Sequence, residues 1–267
     1  MTFVLEYVGK STIRNIEYVG RLAIQARLAL ASLRQTLPLI GNRNRWRSAV
    51  RQMLAVGVDA FPMVGIMALS VGFILAMQSA SELRRFGAMN FVVDLVTIGF
   101  TRELGPLLAA IAVSGRSGSA FSAEIGSMVV TEEVDALKAM AIDPLEFLLA
   151  PKFLAVLITL PCLTILSNAC GILAGGFFML FSTHMTLGLY LRDVAQSIVL
   201  RDAMAGLLKS LAFATIIVQV GCLEGFRVRG GADAVGRSAT SAVVKSTFLV
   251  ILADVAFTAI FYLLGGK

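Results

Sequence analysis

Histidine, cysteine and charge are all scarce in this chain. His184 is the single histidine among 267 residues, so no His-based zinc site can be assembled from this sequence. The three cysteines, Cys162, Cys170 and Cys222, lie in or at the edge of apolar runs. They read as membrane-buried free thiols rather than as disulfides or metal ligands. Charged residues make up 15%, against roughly 25% in soluble domains. No G-x-x-x-x-G-K-[ST] phosphate loop is present, because no lysine follows the glycines of GRSGSAFS. Ser/His/Asp constellations, His-x-x-Glu metal motifs and dinucleotide fingerprints are missing as well, which argues against an enzyme and against ATP handling by this chain. A cleavable leader is not expected, since Phe3–Leu5 is followed at once by Glu6 and then by Lys10 and Arg14.

What remains is apolar. The chain is 57% hydrophobic with a mean hydropathy of +0.84. That composition predicts an all-α, polytopic membrane protein. The net charge of +6 does not point to nucleic acid, because the cations flank apolar spans, where they set topology. A spanning helix needs about 20 mostly apolar residues. Five such runs occur, near 54–78, 91–114, 147–181, 203–224 and 243–264. The third is long enough to tilt, to break at Pro151 or Pro161, or to extend past the bilayer.

Residues 1–50 form a separate N-terminal part, ahead of a membrane domain at 51–267. Val19, Ala23, Ala26, Leu30, Leu33 and Leu37 make one helical stripe, with Arg14 and Arg21 opposite and Arg27 and Arg34 at its flanks. This pattern predicts an amphipathic helix lying in the membrane interface; packing on the protein's own membrane domain is the alternative. Arg43, Arg45, Arg47 and Arg51 follow as a basic cluster. These cations share a side with Arg116, Lys138, Lys152, Arg227, Arg229, Arg237 and Lys245. Only Arg84, Arg85, Arg192, Arg201 and Lys267 oppose them. The positive-inside rule then predicts a cytoplasmic N-terminus and an outside C-terminus.

The block from Thr101 to Lys152 departs from its greasy surroundings. Arg102 and Glu103 lie within an apolar run, and ionisable residues at that depth are expensive and default to a functional reading. Adjacent helical residues do not face each other, so the two are expected to serve different surfaces. Glu103 either lines a polar cavity or pairs with a cation such as Lys209. Asp254, in the fifth span, has the same status. Further on, Thr131 is a candidate N-cap, followed by Glu132 and Glu133 at the positive end of a helix dipole. Val134, Leu137 and Ala141 form a short apolar stripe with Met140 beside it, and Asp143-Pro144 marks a stop. The resulting helix, near 131–143, is too short to span. It either lies on the membrane surface or docks into another protein. Gly171-x-x-x-Gly175, Gly221-x-x-x-Gly225 and the Gly115/Gly118/Ser119 segment allow close helix approach.

The runs RELGPLLAAIAVSGRSGSAFSAEIGSM and TEEVDALKAMAIDPLEFLLAPKF closely resemble the MlaE family of lipid ABC-transporter permeases. The resemblance extends from about Val50 to the C-terminus and includes the end of the first span at Gln78. It implies a homodimer in a bacterial inner membrane, working with two cytoplasmic ABC ATPase subunits that bind the ATP and Mg. A periplasmic hexamer of MCE-domain proteins, and in many systems a STAS-domain protein, complete the assembly. The implied substrate is phospholipid or a related lipid moved between inner and outer membranes, a traffic that bears on outer-membrane lipid asymmetry. The short helix becomes the coupling helix to the ATPase, carrying Glu132, Glu133, Val134, Asp135, Leu137, Lys138, Met140 and Asp143. Leu75, Gln78, Leu83, Phe86 and Glu103 become residues of a lipid cavity at the dimer centre. Arg84 and Arg85, in a segment that differs from the family pattern, are placed to attract phosphate. The rival reading is an ion-coupled secondary transporter or channel with Glu103, Asp254 and Lys209 as a relay. The odd span count and the lack of an evident repeat argue against it.

Overall fold

In lipid every backbone polar group must be satisfied within the protein, and helices meet that demand locally. The computed structural model describes residues 43–183 and 185–265, and among these the regular structure is entirely helical. The interfacial helix expected before residue 43 lies outside the described residues. In chain order the helices are α1 (Arg43–Arg85), α2 (Phe91–Gly99), α3 (Gly105–Val113), α4 (Ser119–Val130), α5 (Glu133–Ala139), α6 (Ala150–Thr183), α7 (Leu187–Ser197), α8 (Leu200–Phe226) and α9 (Ala232–Gly265). Three π-helical turns, Phe100–Leu104, Ser114–Gly118 and Leu145–Leu149, join α2 to α3, α3 to α4, and lead into α6. Five helical runs are long and apolar enough to cross a membrane: Ala49–Arg85, Phe91–Val130, Phe147–Thr183, Leu200–Phe226 and Ala232–Leu263. The protein is an all-α, multi-pass membrane protein.

Several expected boundaries move. The second span does not end near Ser114; α2, α3 and α4 form one helical run from Phe91 to Val130. GRSGS stays helical because a π turn absorbs the extra residue without breaking the ladder. Arg116 is therefore not a loop cation. Its Nη2 donates to Asp59 Oδ2 on α1 at 2.6 Å and its Nη1 to Ala55 O at 3.0 Å. The third span is broken at neither Pro151 nor Pro161; both lie inside the continuous helical run Phe147–Thr183. The fifth span begins at Ala232, well before residue 243. At 43 residues, α1 is about 65 Å long, twice the hydrocarbon thickness of about 30 Å, and projects from the bilayer.

α5 is also shorter than expected, seven residues from Glu133. Thr131 caps the end of α4 instead of starting α5; the single proton of its Oγ1 is shared between Ser127 O and Glu133 Oε1. Glu132 takes the N-cap place in a left-handed conformation (φ 61°), and Ala141 (φ 57°) closes the far end. For residues bearing a Cβ each such conformation costs about 1–2 kcal/mol, so tertiary contacts hold this short helix in place. Val134 and Leu137 supply them, packing with Leu148 against Met128, Val129 and Phe226.

α1 and α6 are the most closely joined pair. A Cβ added to Gly72 would lie 2.3 Å from Gly171 O, and one added to Gly171 would lie 2.0 Å from Phe100 Cε1. α6 thus meets α1 by backbone on one side and the Phe100 ring of the π turn after α2 on the other, the close approach that small residues permit in membranes. The main core brings together Val56 and Val64 of α1, Ala109 and Val113 of α3, Phe153 and Leu160 of α6, and Phe213 and Ile217 of α8. Outward-facing apolar residues such as Leu54, Ile66, Phe177 and Val255 sit where lipid is the solvent.

α7 is a helix the sequence reading did not anticipate. It links α6 to α8 at the end of the bundle opposite α5. Tyr190, 2% exposed, pins it by donating to Ile172 O at 2.6 Å. Burial pushes the Tyr190 phenol up to about 12. Ser197 ties the far end of α7 to Asp94 of α2 through a hydroxyl-to-carboxylate hydrogen bond.

Candidate functional site

Ionisable side chains inside the bundle need partners, and three of the candidates find each other. The π turn Phe100–Leu104 carries Arg102 and Glu103, α8 carries Lys209, and α9 carries Asp254. Lys209 is completely buried, and its ammonium has three protons to give. One goes to Glu103 Oε2, one to Asp254 Oδ1 at 2.8 Å and one to Thr258 Oγ1 at 2.8 Å. Thr258 Oγ1 lies 3.1 Å from Glu103 Oε2 and 2.9 Å from Asp254 O, so its single proton closes the ring. The set is fully satisfied, which low-dielectric surroundings demand.

The Glu103 side chain pairs with Lys209 and yet remains 30% exposed. Arg102 does not turn to a separate surface as expected. Its long stem brings Nε to 3.8 Å from Glu103 Oε1 and Nη1 to 4.0 Å from Asp202 Oδ1. Two cations and three carboxylates are therefore chained across the π turn, α8 and α9. Such turns concentrate at functional positions. Here the neighbouring packing is tight: a Cβ on Gly105 would fall 1.6 Å from Asn168 Oδ1, and that oxygen is buried without a hydrogen-bond partner.

α9 is joined to the other helices at three further polar levels. Ser246 meets Ser114 at 2.5 Å, and Ser238 meets Ser122 at 2.8 Å. Near the α5 end, Glu224 Oε2 accepts from Lys245 at 2.6 Å and from Ser241 at 2.7 Å. Lys152, 2% exposed, ties α6 to α4: its Nζ donates to Glu124 Oε2 at 2.5 Å and lies 5.0 Å from the Phe121 ring centroid.

The other candidate residues fall in three places. Leu75 and Leu83 are half-buried against the second core, which holds Val92, Val96 and Phe100. Gln78 is exposed, and Phe86 is 80% exposed at the turn after α1. That turn is closed by Gly87 (φ 67°), with Ala88 N donating to Leu83 O. Around α5, Val134 and Leu137 face inward, while Glu132, Glu133, Asp135, Lys138, Met140 and Asp143 face outward. Asp135 pairs with Lys138 at 2.7 Å, and Asp143 Oδ1 accepts from Leu145 N at 2.9 Å. Sequence reasoning missed Thr258, Asn168 and the Lys152–Glu124 pair. Thr258 was findable, because it stands one helical turn after Asp254 on the same face.

Residues 49–260 match the family model described as Permease MlaE. A probable ABC transporter permease protein of Rickettsia typhi is 34% identical over 262 residues, covering 97% of this chain and 98% of its own length. One from Synechocystis is 39% identical over 219 residues, covering 81% and 82%. The chloroplastic protein Trigalactosyldiacylglycerol 1 of Arabidopsis thaliana is 29% identical over 226 residues, covering 85% of this chain and 65% of itself. Five spanning helices, a buried ion chain and a short outward-facing helix thus occur in a sequence that belongs to the MlaE permease family.

Proposed function

We propose that this chain is the permease subunit of an ABC transporter that moves phospholipids or related lipids between the inner and outer membranes. In this reading two copies pair in the inner membrane, N-terminus cytoplasmic and C-terminus periplasmic. Two separate ATPase subunits bind ATP and Mg, an MCE-domain hexamer receives or delivers lipid on the periplasmic side, and a STAS-domain protein accompanies the ATPases. The relatives from Rickettsia typhi and Synechocystis are named as probable ABC transporter permeases, and the Arabidopsis relative is named for a glycerolipid.

The observation that carries the reading is α5. Its apolar residues, Val134 and Leu137, are spent on the protein itself, and its outward face is left to Glu133, Asp135, Lys138 and the 61%-exposed Met140. A short helix held rigidly at one end of a bundle is suited to receive a push from a soluble ATPase. The motion would pass through α4 and the π turns to Glu103, with Leu75, Gln78, Leu83 and Phe86 lining the lipid path above it. The test is reconstitution with the ATPase subunits in liposomes. Met140→Asp should keep the fold, lose ATPase co-purification and abolish ATP-driven lipid transfer; unchanged co-purification and transfer would overturn the coupling role of α5. The rival ion relay through Glu103 and Asp254 would be favoured by flux that follows a proton or sodium gradient without ATP.

A further inference from the structure

α2 and α7 enclose a groove of about 860 Å³ at the end of the bundle opposite α5. Residues at i, i+3 and i+7 of α2, Phe91, Asp94 and Ile98, make one wall, and residues at i, i+4 and i+7 of α7, Leu189, Asp193 and Gln196, make the other. The groove is amphipathic in a specific order. Asp94 lies one turn inside the start of the second candidate span. Ile98 stands about 6 Å further along the helix, and Phe91 and Leu189 present exposed apolar surface.

Its charge has one sign. Asp94 accepts a hydrogen bond from Ser197, but neither Asp94 nor Asp193 is in a salt bridge with any described residue. Arg192 neighbours Asp193 in sequence but forms no ion pair with it, as expected for adjacent helical positions. A half-buried pair of carboxylates beside exposed apolar side chains attracts a cation carried on an apolar body. Tyr190, bonded to Ile172 O, and Ser197, which lines the groove and is bonded to Asp94, tie α7 to α6 and α2, so the groove is preformed.

We propose that this groove is a binding site for a phospholipid with a primary-amine headgroup, the ammonium seated between Asp94 and Asp193 and an acyl chain along Phe91, Ile98 and Leu189. An ammonium offers three N–H donors to acceptor-only carboxylates. A quaternary choline carries the charge but no such donor, and an anionic glycerol headgroup is repelled. The site therefore selects phosphatidylethanolamine first, phosphatidylcholine second and phosphatidylglycerol last. Its physiological meaning rests on the chain being a lipid permease, but its occupancy does not.

The test is native mass spectrometry of the purified chain with equal amounts of the three lipids, with no ATP and no partner present. Phosphatidylethanolamine should be retained about fivefold over phosphatidylglycerol, the size expected for one charge-assisted contact at a partly wet site. Asp193→Asn, which breaks no contact within the protein, should bring the ratio close to one, and Asp193→Lys should invert it. An unaltered preference in both variants, or equal retention of all three lipids by the unsubstituted protein as ordinary annular lipid, would overturn the proposal. If the preference holds while reconstituted transport fails, the groove stands and the transporter reading falls; the reverse result separates them the other way.

Discussion

Lys209 Nζ donates to Asp254 Oδ1 at 2.8 Å, and through that contact the fully buried ammonium of α8 holds α9 against the π turn. Removing one partner of a buried pair costs more than the pair is worth, because the remaining charge is stranded. Lys209→Met should therefore destabilise the purified protein by about 3 kcal/mol, at the low end for buried pairs because Glu103 is partly exposed. Adding Glu103→Gln and Asp254→Asn to Lys209→Met should recover most of the loss. Thermal unfolding in detergent measures both; equal stability of the single and triple variants would show that the charges are not coupled.

Lys152 and Glu124 form a pair of unequal burial, 2% against 50% exposed in their side chains. The two halves should respond differently to neutralisation. Glu124→Gln leaves a buried ammonium without its counter-charge and should cost about 3 kcal/mol. Lys152→Met leaves a carboxylate that water can reach and should cost less than about 1 kcal/mol. Equal losses in unfolding experiments would contradict the asymmetry.

Gly105 and Asn168 compete for one space. Gly105→Ala places a methyl group onto Asn168 Oδ1 and should destabilise by about 1–3 kcal/mol through overpacking. Asn168→Ala empties that space, so the double variant should be more stable than the sum of the singles predicts. A double-mutant cycle by thermal unfolding reads the coupling, and strict additivity would refute the contact.

Leu137 and Met140 separate folding from docking. Leu137→Asp inserts a carboxylate among Val134, Leu148 and Phe226 and should cost about 3 kcal/mol or more in stability. Loss of ATPase association in that variant is therefore no evidence of a direct contact. Met140→Asp should leave the unfolding temperature within about 2 °C of the original, as exposed substitutions do, and any loss of association then belongs to the outward face.

The five spans and the three unusual charges were legible from the residues. Glu103, Lys209 and Asp254 each interrupt an apolar run, and buried charges must be paired, so their meeting is a physical consequence of their rarity. The π turns were not legible. They depend on how Gly105 and Gly118 pack against Asn168 and Ile217, and no local propensity encodes an inserted residue in a helix. α7 escaped because its alternation of apolar and polar residues is too short for a span and too greasy for a loop. The start of α5 was misassigned for a related reason: Thr131 has the chemistry of an N-cap, but its hydroxyl finds Ser127 O behind it. Only the tertiary contacts of Val134 and Leu137 decide which helix it belongs to.

The backbone-to-backbone seat of Gly72 on Gly171 leaves no side chain between α1 and α6 at that level. With the Phe100 ring wedged onto Gly171 as well, α1, α2 and α6 make a chassis that cannot flex without losing contact along its length. α9 is joined differently. Its moorings at Ser238, Ser246 and Asp254 are hydroxyls and ions, not backbone seated on backbone. The molecule is thus held together in two ways, by close backbone contact in the frame and by polar ties along the last helix.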